Sequence, residues 1–175
     1  MTEVFDDKYN KPSQTKGFLS NLKTSSRQFF NKKVYITGFI SFLCLRTFDY
    51  FCTDILKIDD NSNETMINEA LEQSVIFTVY ACLVGPIIEE LIFRKFIFGK
   101  IRKHSRVTAY IVSSFLFAVL HFLINIKEIF GETFPIYFIM GLILAVSYDY
   151  NSSILSPIIG HVSHNSSLIL FYKML

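Results

Sequence analysis

The chain has 175 residues, with 17 basic and 15 acidic side chains and a formal net charge of +2. Charged residues make up 18%, hydrophobic residues 51%, and there are 19 phenylalanines. A disordered chain would be more charged and poorer in aromatics. A dedicated nucleic-acid binder would carry a strongly basic footprint. Both classes are excluded, and no nucleic-acid partner is expected. Cys44, Cys52 and Cys82 lack metal-type spacing and lie in apolar stretches, so they read as buried small hydrophobes.

The charges are segregated. Residues 1–33 hold seven basic and three acidic residues, and contain Pro12 and Gly17. This polar, basic N-terminal tail has no apolar core of a secretory signal peptide. It is expected to form a segment separate from a helical membrane domain over residues 34–175.

Val34–Leu56 is the first candidate span, although it carries Arg46, Asp49 and Asp54. Arg46 and Asp49 are spaced as a local i,i+3 pair. The next stretch, 57–72, has one lysine and five acids. Gln73–Phe98 follows, and spans the membrane only if Glu89, Glu90 and Arg94 lie inside it. Residues 89–106 hold six basic residues and two acids. Val107–Ile126 and Asn151–Tyr172 are long enough for the roughly 20-residue crossing of a bilayer. Phe134–Tyr148 is short for one. These stretches have too few polar residues to give each helix a wet face.

The expected fold class is therefore all-α, a polytopic helical membrane bundle with about five transmembrane helices and a core near residues 74–172. Cytoplasmic flanks carry excess Lys and Arg. The tail and the loop Lys95–Arg106 then share the cytoplasmic side, which requires two crossings between them. The expectation is a multi-pass protein of the cell membrane with its N-terminus in the cytoplasm.

Ionisable side chains inside a span are costly and usually mark function. Span two holds Glu89, Glu90 and Arg94, span three His121, and span five His161, His164 and Asn165. Span four offers none. Glu90 and Arg94 are four apart, on one helix face and in the favourable acid-first order. Glu89 lies about 100° round the helix and is the carboxylate left for chemistry. His161 and Asn165 project together, and Phe117 lies one turn before His121. His164 points away from His161 and reads as packing. Rise per residue places these groups in one cavity in the cytoplasmic half.

A glutamate and a histidine can hold a water as general base. His161 and Asn165 can donate to a developing oxyanion. That set suits amide hydrolysis. The same residues, Glu89, His121 and His161, also suit a zinc site with bound water. Spacing does not separate the two. Intramembrane carboxylates and histidines also serve proton-coupled transporters, and a non-catalytic membrane binder remains a further alternative.

Glu89-Glu90-Leu91-Ile92-Phe93-Arg94 resembles the Glu-Glu-x-x-x-Arg motif of the CAAX protease and bacteriocin-processing (CPBP, ABI) family of intramembrane proteases. Phe117 to His121 is similar to its Phe-x-x-x-His motif, and His161 to Asn165 to its His-x-x-x-Asn motif. The three occur in order over Gly85–Asn165. The resemblance implies an intramembrane endopeptidase that cleaves a membrane-embedded or lipidated peptide. It implies that Glu89 and His121 activate water, that His161 and Asn165 line the oxyanion site, and that Glu90, Arg94 and Phe117 support them. It implies a glutamate mechanism with no required cofactor, Zn2+ being the alternative. Membrane peptides or lipoproteins are the implied substrates, and bacteriocin self-immunity or peptide processing the implied role. Larger members of the family have more spans before the motif core.

Overall fold

The computed structural model describes residues 28–59 and 62–174. The basic tail expected over 1–33 lies outside the described residues up to position 27. The chain divides into a unit Met1–Asn31 and a unit Lys32–Leu175. Of the first unit, Gln28–Phe30 forms a single 3-10 turn. Among its described residues the second unit contains six helices and no strand.

Helix α1, Lys32–Tyr50, runs into a wide i→i+5 turn at Phe51–Ile55 and ends before Lys57, whose φ of 57° is left-handed. Helix α2 is Ser62–Gln73, an acid-rich segment too polar for its helicity to be read as a span. Helix α3, Val75–Ile101, follows almost directly. Ser74 makes the break, its hydroxyl accepting from Phe77 N–H at 3.2 Å as an N-cap. Ser105 caps α4, Arg106–Leu120, in the same way, accepting from Thr108 N–H at 3.2 Å. A 3-10 turn at Ile126–Phe130 leads to α5, Thr133–Asn151, and α6 is Leu155–Met174.

Among the described residues α3 and α5 are long and apolar enough to cross a bilayer, and α4 is apolar but shorter. Several expected boundaries change; Asn151, expected to open the last span, is the final residue of α5. The apolar run to Ile126 does not stay helical: α4 stops at Leu120, where His121 and Phe122 N–H groups turn back to the carbonyls of Ala118 and Val119. The expected short span Phe134–Tyr148 lengthens to 19 residues. Asp149 can remain helical because Arg102 Nη1 meets it at 2.9 Å and Tyr110 Oη donates to it at 3.0 Å.

Helix α1 packs chiefly along α6, and α4 along α5. The α1–α6 crossing depends on small residues. A Cβ on Gly160 would lie 2.7 Å from Ser41 Cβ, and one on Gly38 would lie 2.8 Å from Ile159 Cβ. Close backbone approach is how helices gain contact where lipid is as apolar as leucine. The core holds Phe93, Phe117, Phe122, Tyr137 and Leu144. A second cluster stacks Phe98 edge-on to Tyr110 and Tyr148.

Polar clasps close both ends of the bundle. At one end Asp149 holds Arg102, and Asn151 donates to Thr37 Oγ1 at 3.3 Å. At the other end Glu128 accepts from the backbone N–H of Ser62 at 3.0 Å and from Asn125 at 2.9 Å. Among the described residues all three cysteines are free thiols; only Cys52 is buried, and Cys44, expected inside, is exposed on the flank of α1.

Candidate active site

Helix α3 is not uniform where it carries its charges. Six α-helical residues, Gly85–Glu90, sit between wide turns at Tyr80–Val84 and Leu91–Phe98. Such widened turns shift the phase of the side chains and recur at functional sites.

Glu90 and Arg94 are both fully buried, with Arg94 Nε 3.1 Å from Glu90 Oε2. The contact is a close ion pair without hydrogen-bond alignment, and Nη1 and Nη2 of Arg94 also lack a hydrogen-bond partner. The guanidinium lies 4.8 Å from the centre of the Phe117 ring, a cation–π contact. The other oxygen of Glu90 has a second function. Oε1 accepts from His161 Nδ1 at 3.0 Å. Arg94, Glu90 and His161 thus form one buried chain across two helices. A carboxylate only accepts, so the Nδ1 proton is fixed and Nε2 is the nitrogen left for other work. Nε2 faces Glu89 Oε2 at 3.8 Å. Glu89 keeps 22% of its side chain exposed, against none for Glu90.

His121 sits just past the end of α4. Its Nδ1 donates to the Phe117 carbonyl at 2.9 Å, which again leaves Nε2 as the basic nitrogen. The Phe117 ring lies 4.8 Å from the His121 ring and 5.8 Å from that of His161. Glu89, His161 and Arg94 are the charged or titratable groups that act on His121. Asn165, one turn along α6 from His161, donates from Nδ2 to the Ala81 carbonyl at 3.2 Å, inside the first wide turn of α3. His164 is buried, with Nδ1 lacking a hydrogen-bond partner, and stands apart from these contacts.

The structure therefore brings Glu89, Glu90, Arg94, Phe117, His121 and His161 together, with Asn165 at the margin. Glu89 lies about 21 Å along α3 from Val75 and about 18 Å from Ile101, so it is central. His121 lies at the end of α4 remote from the basic loop, because α4 stops at Leu120. Span four, expected to offer nothing, supplies Tyr137, whose ring stacks on His121 at 4.1 Å and 24°. The Glu90–His161 bond is likewise absent from the sequence reading, which pairs Glu90 with Arg94 alone. Among the described residues no three His, Cys, Asp or Glu side chains form a group that could hold a metal ion. Both histidines have Nδ1 engaged, which leaves Nε2 of each as the nitrogen free for a further partner.

Residues 71–167 match the family described as Type II CAAX prenyl endopeptidase Rce1-like. The chain belongs to this family. The matched segment contains all of these site residues, from Glu89 to Asn165, and Tyr137. The chain is 36% identical over 103 residues to the "Membrane-embedded CAAX protease MroQ" of Staphylococcus aureus (strain USA300), covering 55% of this chain and 39% of that protein. It is 29% identical over 112 residues to the "Putative membrane peptidase YdiL" of Bacillus subtilis (strain 168), covering 63% of this chain and 43% of that protein. The matches thus span about two fifths of the length of these curated relatives. No solved structure matches. The all-helical fold of the described residues and the apolar helices α3 and α5 agree with membership of the Rce1-like family.

Proposed function

We propose that the protein is an intramembrane endopeptidase in which Glu89, assisted by His121, removes a proton from water. The water oxygen adds to the scissile carbonyl. The oxyanion that forms accepts hydrogen bonds from His161 Nε2, when that ring carries its second proton, and from the remaining Asn165 amide hydrogen. Collapse of the intermediate breaks the C–N bond, and the proton taken by Glu89 or His121 passes to the leaving amine. Glu90 and Arg94 hold His161 in place.

The observation that carries this reading is the placing of His161. Its Nδ1 is tied to a fully buried carboxylate and its Nε2 is turned to within 3.8 Å of Glu89. Preorganised donors of this kind supply much of the rate gain in acyl-transfer catalysis. The substrate class is a membrane-embedded or lipidated peptide, and bacteriocin self-immunity or peptide processing is the setting. We place five crossings in the cell membrane, with the N-terminus in the cytoplasm. The mechanism uses the glutamate without a metal.

The test is cleavage of a lipidated or membrane-embedded peptide by protein reconstituted in liposomes, followed by mass spectrometry. Glu89→Gln should lower the rate by about 10²–10⁴-fold. A chelator should leave the wild-type rate unchanged. Equal cleavage by wild type and Glu89→Gln would overturn the proposal, and loss of activity with chelator would overturn its metal-free form.

A further inference from the structure

One face of α1 and one face of α5 enclose an open groove of about 520 Å³, lined by none of the catalytic cluster's residues. Its walls are Ile36, Ile40, Leu142, Ile143 and Val146, at the three- and four-residue spacing that lines one side of a helix. Ile36, Ile40 and Val146 are more than half exposed, so no other described helix covers the groove. From Lys33 to Cys44 it runs about 16 Å along α1. That length is close to half of the roughly 30 Å hydrocarbon core, the depth of one leaflet.

The two ends of the groove differ chemically. Cys44 and Ile139 close the inner end, while Lys33 and Tyr150 flank the mouth. Lys32 stands beside Lys33, and the first turn of α1 has no acid. The acid nearest the mouth in sequence, Asp149, is already engaged by Arg102, Arg106 and Tyr110. About one turn in from Tyr150, Ser147 also lines the groove. Its hydroxyl is buried and lacks a hydrogen-bond partner. A buried hydroxyl without a partner is costly, and points to an acceptor that occupies the site.

We propose that this groove seats one acyl chain of an anionic phospholipid, with the phosphate at Lys33 and a glycerol ester carbonyl at Ser147. The lysine ammonium has three donors, enough to take a phosphate oxygen beside its other contacts. Basic pockets between membrane helices select anionic headgroups by this means. The chain tail lies against the isoleucines, and the ester carbonyl, a few ångströms below the phosphate, accepts from the serine. The site is separate from the catalytic cluster, and its occupancy does not depend on peptide cleavage.

The test uses the full chain in nanodiscs, with spin-labelled phosphatidylglycerol or phosphatidylcholine and the immobilised fraction read by electron paramagnetic resonance. Wild type should hold phosphatidylglycerol in preference. Lys33→Gln should reduce that preference roughly fivefold, the effect of one lysine at a membrane surface. Val146→Trp, which fills the groove and leaves Lys33 in place, should also release the immobilised phosphatidylglycerol. Equal retention of the two lipids by wild type would overturn the proposal. So would a preference that survives both variants, which would belong to the basic tail. A preference lost with Lys33→Gln but kept with Val146→Trp would assign the headgroup to the surface and overturn the acyl seat. A disulfide-linked dimer formed through Val146→Cys, with lipid retention unchanged, would give the groove to a second copy.

Discussion

Tyr137 joins the surface helix α2 to His121: its ring stacks on the imidazole at 4.1 Å, and its hydroxyl donates to Glu64 Oε1 at 2.5 Å. Phe122 meets the Tyr137 ring edge-on at 5.7 Å. The imidazole is thus held by a stack on its face and by the Nδ1 bond to Phe117. An aromatic pair contributes about 0.5–1.5 kcal/mol beyond area burial. Tyr137→Leu should therefore lower kcat by about 2–10-fold with little change in KM, while Tyr137→Phe, which keeps the stack, should stay near wild type. Steady-state cleavage of the lipidated peptide measures both.

Glu90 and Arg94 make a prediction about stability. Each is fully buried, so removing one leaves the other charge without compensation. Such a change costs about 3–5 kcal/mol. Glu90→Gln should lower the unfolding midpoint in detergent sharply. The double variant Glu90→Leu, Arg94→Met should recover much of that loss while remaining inactive, because His161 has then lost its acceptor. Thermal unfolding and peptide cleavage, measured on the same samples, separate the two effects.

The α1–α6 crossing can be tested at one methyl group. Gly160→Ala puts a Cβ 2.7 Å from Ser41 Cβ, and the helices must part. Overpacking of this kind costs about 1–3 kcal/mol. Adding Ser41→Gly removes the atom that is struck and should restore most of the stability. A double-mutant cycle on unfolding midpoints reads the coupling.

Outside the spans, Glu128 gives a pH dependence of defined sign. Hydrogen bonds from the Ser62 hydroxyl and backbone N–H, helped by Asn125, hold its carboxyl below the usual carboxylate range. The unfolded chain then binds the extra proton first. The stabilisation is complete above the ordinary carboxylate value of about 4.3 and is lost as pH falls through the lowered value. The junction of α2 with the 126–130 turn should loosen over that acid range, seen as proteolytic nicking near residues 57–62. Glu128→Gln should remove the pH dependence there.

Much of the site was legible because its spacing is local. The four-residue interval of Glu90 and Arg94 and that of Phe117 and His121 are set by helix geometry, and both pairs meet as the intervals require. Convergence of Glu89 with the histidines followed from there being few other polar groups for those helices to turn inward. What was not legible depends on choices that spacing does not encode. Tyr137 is one aromatic among many, and only packing shows that it faces His121. The end of α4 falls inside an unbroken apolar run, so by sequence His121 reads as mid-helix. Helix α2 carries too many acids to register as a span, and it gave no other sign of order. The wide turns in α3 change which residues face α6, and so the position of Ala81 opposite Asn165 could not be read.

Phe117 has one further consequence. Its ring lies against the guanidinium of Arg94 and against the imidazoles of His121 and His161. It keeps water out of the space between a fixed positive charge and the two imidazoles. With this ring shrunk to alanine, water would reach Arg94 and screen its field across the site.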